Sequence, residues 1–366
     1  MVAENTTILI MAAGTGGHIF PALSIARKLR EQGVRTEWLG TRKGMENELL
    51  ADTGIKLHPI AVKGLRGKGI VGILLAPVMI VVAVCQSMRV ISQVKPSCVL
   101  GMGGFISGPG GLATKIMGRQ LLIHEQNAVA GVTNRILARI ADRVFEAFPD
   151  TFPSSSKVIH TGNPVRDDII SLEKPNDAYA NTDRPLQLLV LGGSQGAAAI
   201  NAVVPEVLAN WKGQDCPYVW HQTGHNSLQQ TLDHYQSLGF GLSDHCRVES
   251  FIDDMCSAYA WADLVICRAG ASTVSELAVV GLPALLVPYP YHSDNQQTVN
   301  AQWLTQANAA QLIQQTDLTM DSLLEILKDL NNNREKLQRM SQQAKSLAIR
   351  NASEFIAAQC LELAHV

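Results

Sequence analysis

An α/β fold of two doubly wound domains is predicted by three observations. Near-continuous apolar strand segments alternate with helical patterns along the whole chain, glycine-rich loops follow strands in both halves, and a Gly-Asn-Pro break falls mid-chain where the charge balance reverses. Strands that are apolar on both faces belong in parallel sheets covered by helices on either side. With 366 residues the chain exceeds the size at which one hydrophobic core stops growing, and 46% hydrophobic residues can fill two.

In chain order the first half reads as strand "TTILIMA", a helix from Pro21 to Gln32 stopped by Gly33, strand "VRTEWLG", a helix through "MENELLAD", and strand "IKLHPIA". Strands "SCVLG", "QLLIHE" and "RVFEAF" follow, separated by helical stretches. The second half repeats the plan with "LQLLVLGG", "PYVWHQTG", "HCRVESF", "DLVICRA" and "PALLVPYP", with helical patterns such as "SELAVVG" and "TVNAQWLTQA" between them. The last stretch, "NASEFIAAQCLELAHV", has the pattern of an amphipathic helix.

The boundary is expected at "TGNPVR", residues 161 to 166, where Gly162, Asn163 and Pro164 punctuate the chain. That divides it into residues 1–163, residues 164–345, and a terminal helix, 346–366, expected to pack back on the first domain. Residues 1–163 carry 18 Lys and Arg against 10 Asp and Glu, a balance of +8, and the remainder carries 12 against 22, or −10. No acid lies between Asp52 and Glu125, while Lys56, Lys63, Arg66, Lys68, Arg89, Lys95, Lys115 and Arg119 do. So basic a stretch points to an anionic partner. Interleaved aromatics and a recognisable binding module are lacking, so nucleic acid is not expected. Seven cysteines with no C-x-x-C pair, several of them in apolar runs, read as reduced core thiols without disulfides or zinc. The "MVAENTT" start does not read as a signal peptide.

Gly14, Gly16 and Gly17 follow a strand and precede a helix, the setting in which backbone N–H groups and the positive helix end meet phosphate. The dinucleotide fingerprint fails here, because its third glycine falls at Ile19 and "WLGTRK" lacks the ribose-binding acid. Arg42 keeps an NADP-dependent oxidoreductase open as an alternative, and a tight turn alone would also use glycines. Two more such loops, "GMGGFISGPGG" and "LGGSQGAAAIN", make diphosphate chemistry in both halves the stronger reading. In "CRAGASTVSELAVVGLP", Ser272 and Thr273 can cap a helix whose start faces a diphosphate, with Glu276 positioned for two ribose hydroxyls. Glu276 as the far member of a capping box is the plain structural alternative.

The motifs "GTGGHIFPAL", "GLRGKG", "GMGGFISGPGG", "HEQNAVAGVTN", "GNPVR", "GGSQGA", "FIDDM", "RAGASTVSE" and "NQQ" occur in an order and spacing that resembles the MurG family of bacterial glycosyltransferases, from about Thr6 to Leu304. The resemblance implies GT-B architecture, two Rossmann-like domains facing across a cleft with acceptor and donor roles. It further implies transfer of N-acetylglucosamine from UDP-N-acetylglucosamine to the 4-hydroxyl of muramoyl-pentapeptide pyrophosphoryl-undecaprenol (lipid I), giving lipid II with inversion. Implied too are a peripheral position on the cytoplasmic face of the inner membrane and partners among cell-wall and division proteins. Two departures stand out: Ala13 replaces the usual first glycine of the opening loop, and "YPYHSDNQQ" is about one residue longer than in many relatives.

Carried over residue by residue, the resemblance implies a donor site of Thr15, Gly16, Gly17, Asn127, Arg166, Ser194, Ile252, Ala271, Ser272, Thr273, Val274, Ser275, Glu276, Gln296 and Gln297. Gly14, Gly103, Gly104 and Ser107 would cradle the acceptor pyrophosphate. No D-x-D motif is present, so no metal or other cofactor is expected, and a helix end with Arg166 would stabilise the leaving diphosphate. His18, just after the first phosphate loop, is the leading base, since imidazole titrates near neutrality. Glu125 is its rival, and a hydrogen-bonded structural histidine is the alternative. The 17-residue run Gly69 to Cys85 falls short of the ~20 needed to span a bilayer. Flanked by "KGLRGKG", Arg89 and Lys95, it reads as an interfacial helix on an anionic membrane rather than only a buried helix. A non-catalytic, membrane-docked nucleotide-sugar sensor would keep the same loops.

Overall fold

The computed structural model describes residues 6–62, 76–172, 174, 179, 184–193, 195–213, 215–240, 245–291 and 294–364. The chain divides into two compact units, residues 1–166 with 349–366, and residues 167–348.

Unit 1 holds a seven-stranded parallel sheet of β1 Thr7–Met11, β2 Arg35–Thr41, β3 Lys56–Ile60, β4 Cys98–Gly101, β5 Gln120–Glu125, β6 Arg143–Glu146 and β7 Val158–His160, in the order β3-β2-β1-β4-β5-β6-β7. β1 is buried at all five positions because neighbours flank it and helices cover both faces. Pro59 is confined to β3 at the sheet edge, where no further strand needs its missing N–H.

The helices of this unit are α1 Gly16–Glu31, α2 Glu46–Leu49, α3 Ala76–Val94, α4 Gly104–Ile116 and α5 Val132–Leu137. α1 begins five residues before the proline from which the sequence predicts it, so the glycine loop itself supplies the first turn. Pro21 is tolerated inside the helix at the cost of one ladder bond to Gly17.

Unit 2 opens with α6 Asp167–Ile170 and holds a six-stranded parallel sheet of β8 Gln187–Leu191, β9 Tyr218–Gln222, β10 Cys246–Glu249, β11 Leu264–Cys267, β12 Ala284–Leu286 and β13 Ala310–Leu312, ordered β10-β9-β8-β11-β12-β13. Its remaining helices are α7 Ala198–Ala209, α8 Leu228–Ser237, α9 Met255–Trp261, α10 Ala271–Val280, α11 Gln296–Gln306, α12 Met320–Asn332 and α13 Arg334–Leu347. The last helix, α14 Ala352–Ala364, belongs to unit 1, where Ile356, Ala357 and Cys360 enter the core beside Cys98 and Leu29. Lys28–Glu354 (3.1 Å) and Arg143–Glu362 (2.7 Å) flank that contact.

Strand order reverses between β1 and β4 in unit 1 and between β8 and β11 in unit 2. At such a switch point the loops leaving the two strands diverge and open a crevice at their carboxyl ends. All four glycine-rich segments leave these four strands.

α3 is longer than the apolar run suggests. By length and composition it could cross a membrane, with 19 residues and a mean hydropathy of 1.5. Yet Ala83, Val84, Val90 and Ile91 are buried in the unit 1 core, and α3, α4 and α5 pack side by side. The outward residues Val78, Ile80, Val81, Val82, Leu112, Ile116, Val132 and Ile136 are exposed. The preceding "KGLRGKG" lies outside the described residues.

Candidate functional site

In unit 1 the loops after β1 and β4 touch directly. Met102 N donates to Met11 O (2.9 Å), and a Cβ on Gly104 would stand 2.7 Å from Ala13 O at a φ of +74°, so only glycine allows this approach. Gly14 and Thr15 are exposed at the loop, and Gly16 and Gly17 form the first turn of α1. Gly103 caps α4. Ser107 departs from its expected role toward a ligand: it is fully buried, and its hydroxyl donates to Gly103 O (2.7 Å) and Met11 O (3.4 Å), which braces the loop.

His18, half-buried, meets the end of β5. Its Nδ1 lies 2.8 Å from Gln126 Oε1; Gln126 Nε2 lies 3.0 Å from His124 Nδ1; His124 Nε2 lies 3.0 Å from Gly162 O. His124 has no solvent exposure, and burial pushes its imidazole down to about 4, so the ring is neutral. Glu125, on the alternate face of the strand, is buried and accepts four hydrogen bonds. Asn127 N (3.1 Å) and Asn127 Nδ2 (3.2 Å) meet one oxygen; Gly131 N (3.0 Å) and Asn134 Nδ2 (2.9 Å) meet the other. Its lone pairs are committed to holding the loop from Gln126 to Gly131. The "GNP" segment clamps the same strand end, since Asn163 Nδ2 donates to Gln126 O (2.9 Å). Arg166 is half-buried just ahead of α6.

In unit 2 the switch point is flanked by "GGSQGA" and the start of α10. Gln222 fixes the first loop by accepting from Gly193 N (2.9 Å) and donating to Gly193 O (3.0 Å). A Cβ on Gly196 would stand 2.8 Å from Thr223 O at a φ of +79°, so the turn requires glycine. Ser194 lies outside the described residues.

α10 starts at Gly270 as N-cap, without a side-chain cap and without an acid in its first turn. Ser272 and Thr273 therefore sit inside the first turn instead of capping it, and Glu276 is no capping-box partner. Val274 N makes the ladder bond to Gly270 O (2.9 Å), which leaves the N–H groups of Ser272 and Thr273 ahead of the ladder. Ser272 Oγ is buried and has no hydrogen-bond partner among the described residues, an arrangement that costs free energy unless a ligand meets it. Val274 and Ser275 are buried, with Val274 N in the ladder and Ser275 Oγ donating to Ala271 O (2.9 Å), so they support the helix start. Glu276 accepts from Tyr259 OH (2.8 Å), which aims its carboxylate.

α1, α4 and α7 likewise start with no side-chain cap and no first-turn acid, as do α5, α8 and α11, whereas α9, α12 and α13 are capped by Asp254, Thr319 and Asn333. The four helices at the switch points thus keep a positive N-terminal end unneutralised by their own side chains, as an anion site requires. Ile252 has a buried side chain, and neighbouring Phe251 is exposed and stacked on His225 at 5.3 Å between ring centroids. Gln297 Oε1 accepts from Tyr289 N (2.9 Å) and so pins the longer loop, while Gln296 begins α11 next to it, half-buried.

Four participants escaped the sequence reading: His124, Gln126, Gln222 and Tyr259. For the first two a signal existed, since strand alternation puts residues 124 and 126 on one face and Glu125 on the other. Tyr259 and Gln222 reach the site only through tertiary neighbours.

Comparison with known proteins identifies the family. Residues 8–146 match the glycosyltransferase family 28 N-terminal domain and residues 187–356 the family 28 C-terminal domain. A protein of Pseudomonas savastanoi pv. phaseolicola named UDP-N-acetylglucosamine–N-acetylmuramyl-(pentapeptide) pyrophosphoryl-undecaprenol N-acetylglucosamine transferase is 47% identical over 361 residues, 99% of each chain. Its namesake in Chromohalobacter salexigens is 49% identical over 360 residues, 98% of this chain and 97% of the relative. The crystal structure of Acinetobacter baumannii MurG superposes with a TM-score of 0.83 at 41% identity, covering 98% of this chain and 99% of that one. On the strength of both domain matches and these full-length likenesses, the chain belongs to glycosyltransferase family 28, within its MurG group.

Proposed function

We propose that this chain transfers N-acetylglucosamine from UDP-N-acetylglucosamine to the 4-hydroxyl of lipid I, forming lipid II with inversion at the sugar carbon. The observation that carries the reading is the set of uncapped, acid-free helix starts at both switch points, with the orphaned Ser272 hydroxyl at one of them. The names borne by relatives at 47% and 49% identity support it.

In this mechanism the acceptor hydroxyl gives its proton to His18 Nε2, and its oxygen attacks the sugar carbon opposite UDP. The bond from that carbon to the phosphate oxygen breaks, and the electron pair leaves on UDP. The start of α10, with Ser272, Thr273 and Arg166, receives that charge in a pre-organised field. Glu276 holds the ribose hydroxyls, the Ile252 backbone reads uracil, and Gln296 with Gln297 meets the sugar. Glu125 positions Asn127 and its loop; its carboxylate is too fully hydrogen-bonded to serve as the base.

The exposed apolar stripe on α3, α4 and α5, with exposed Arg89, Arg119, Arg135 and Arg139 on or beside these helices, supports peripheral docking on an anionic bilayer. Flotation with anionic vesicles should succeed at low salt and weaken at high salt; no binding at either salt refutes docking.

A donor panel of UDP-N-acetylglucosamine, UDP-N-acetylgalactosamine and UDP-glucose with a short-chain lipid I analogue tests the reaction. UDP release is expected with the first donor and only in the presence of acceptor. Absence of acceptor-dependent release overturns the proposal and leaves a nucleotide-sugar sensor, while NADPH binding in preference to UDP would favour an oxidoreductase.

A further inference from the structure

We propose that Gln126, itself oriented by His124, is a positioning residue that locks His18 in the tautomer protonated on Nδ1, so that the unprotonated Nε2 faces the acceptor hydroxyl. The proposal rests on the reading of His18 as the base.

The polarity of the whole chain of contacts follows from its last member. Gly162 O is a carbonyl and can only accept, so His124 Nε2, 3.0 Å away, carries the hydrogen. A neutral ring protonated at Nε2 has a lone pair on Nδ1, and that lone pair needs a donor. Gln126 Nε2, at 3.0 Å, is the donor. Its amide is thereby oriented, and Oε1 turns toward His18 Nδ1 at 2.8 Å. An amide oxygen cannot donate, so His18 Nδ1 must, and the neutral ring keeps its lone pair on Nε2.

Nothing in this arrangement has to move during turnover. When Nε2 takes a proton, both ring nitrogens become donors and Gln126 Oε1 still accepts from Nδ1. The amide is fixed on its other sides as well. Asn163 Nδ2 holds the Gln126 backbone carbonyl at 2.9 Å, and a Cβ on Gly103 would lie 3.1 Å from the His18 ring and 3.3 Å from Gln126 Oε1. His124 is the titratable neighbour on this face, and burial keeps it neutral. Glu125 is spent on the opposite face of the strand.

Three variants of the full chain, Gln126→Leu, Gln126→Glu and His18→Ala, test this with turnover, KM for UDP-N-acetylglucosamine, the pH profile and calorimetric UDP affinity. Gln126→Leu should lower kcat about 10- to 100-fold, as loss of an orienting partner does, with KM and UDP affinity within about twofold. His18→Ala should lower it further, by about 10² to 10⁴. Gln126→Glu should move the acid limb of the profile upward by about one pH unit or more, because a carboxylate beside the ring favours its charged form. An acid limb that stays in place would overturn the proposal, as would an undiminished kcat in Gln126→Leu. If His18→Ala keeps its turnover, the base reading falls; if only the Gln126 variants are silent, the relay falls and the base stands. Nitrogen-15 spectra of the histidine rings in the unmodified protein give an answer independent of any variant: His18 with its hydrogen on Nε2 would refute the proposal, and on Nδ1 would support it.

Discussion

Replacing Thr273 with Asp should push stability and nucleotide binding in opposite directions. Thr273 is the third residue of α10, whose first turn carries no acid and no side-chain cap. A carboxylate there complements the helix N-terminus by about 0.3 to 1 kcal/mol, and Asp is close to Thr in size and shape. For a unit of this size that raises the midpoint of its thermal transition by about 1 to 4 °C. The same carboxylate would face the diphosphate. At a separation of about 5 Å and an effective dielectric constant of about 20, repulsion is roughly 3 kcal/mol for each phosphate charge, or at least ~100-fold in affinity. Calorimetric titration with UDP and a melting curve of the ligand-free protein measure both effects. Thr273→Asp that binds UDP as well as the parent removes the diphosphate from the start of α10. Thr273→Asp that melts lower refutes the claim that this helix end lacks compensation of its own.

Tyr259→Phe deletes the hydrogen bond that aims Glu276 and should weaken UDP binding about tenfold, a loss of roughly 1.5 kcal/mol; unchanged affinity would remove Glu276 from the ribose. Glu125→Gln places an amide N–H₂ against donors that now meet a carboxylate, and should lower urea stability by about 2 to 3 kcal/mol, whereas a base would lose turnover at unchanged stability. Burial lowers His124 to about 4 and His221 to about 3, so below the ordinary imidazole range the unfolded chain binds more protons than the folded one. Stability is therefore held above about pH 6.5 and lost as pH falls toward those values, by about 2 kcal/mol for each histidine between about pH 7 and 5. Urea midpoints that are flat across that range would contradict the neutral, buried assignment.

Much of this architecture is legible in the chain before it folds. β1 reads as a central strand because "TILIM" has no polar face to give to solvent, and it is buried throughout. The glycine segments are legible because backbone approach at Gly104 and Gly196 tolerates no side chain. Other features resist such reading because their cause lies elsewhere in the chain. Pro21 marks a helix start by local rule, yet α1 begins five residues earlier, within the glycine loop. Ser272 and Thr273 have the chemistry of caps, but the turn at Gly270 places them two and three positions too late to act as such.

Near-continuous apolar strands and glycine punctuation, both local properties, determined that the chain would build two parallel sheets with phosphate-ready loops. Which loops meet was decided by strand order, because β1 with β4 and β8 with β11 become neighbours only once the sheets have closed. The same holds for the side chain that orients His18. Its identity depends on the Gly162 carbonyl, 38 residues beyond His124, and hydrogen-bond polarity is transmitted through contacts in space and not along the sequence.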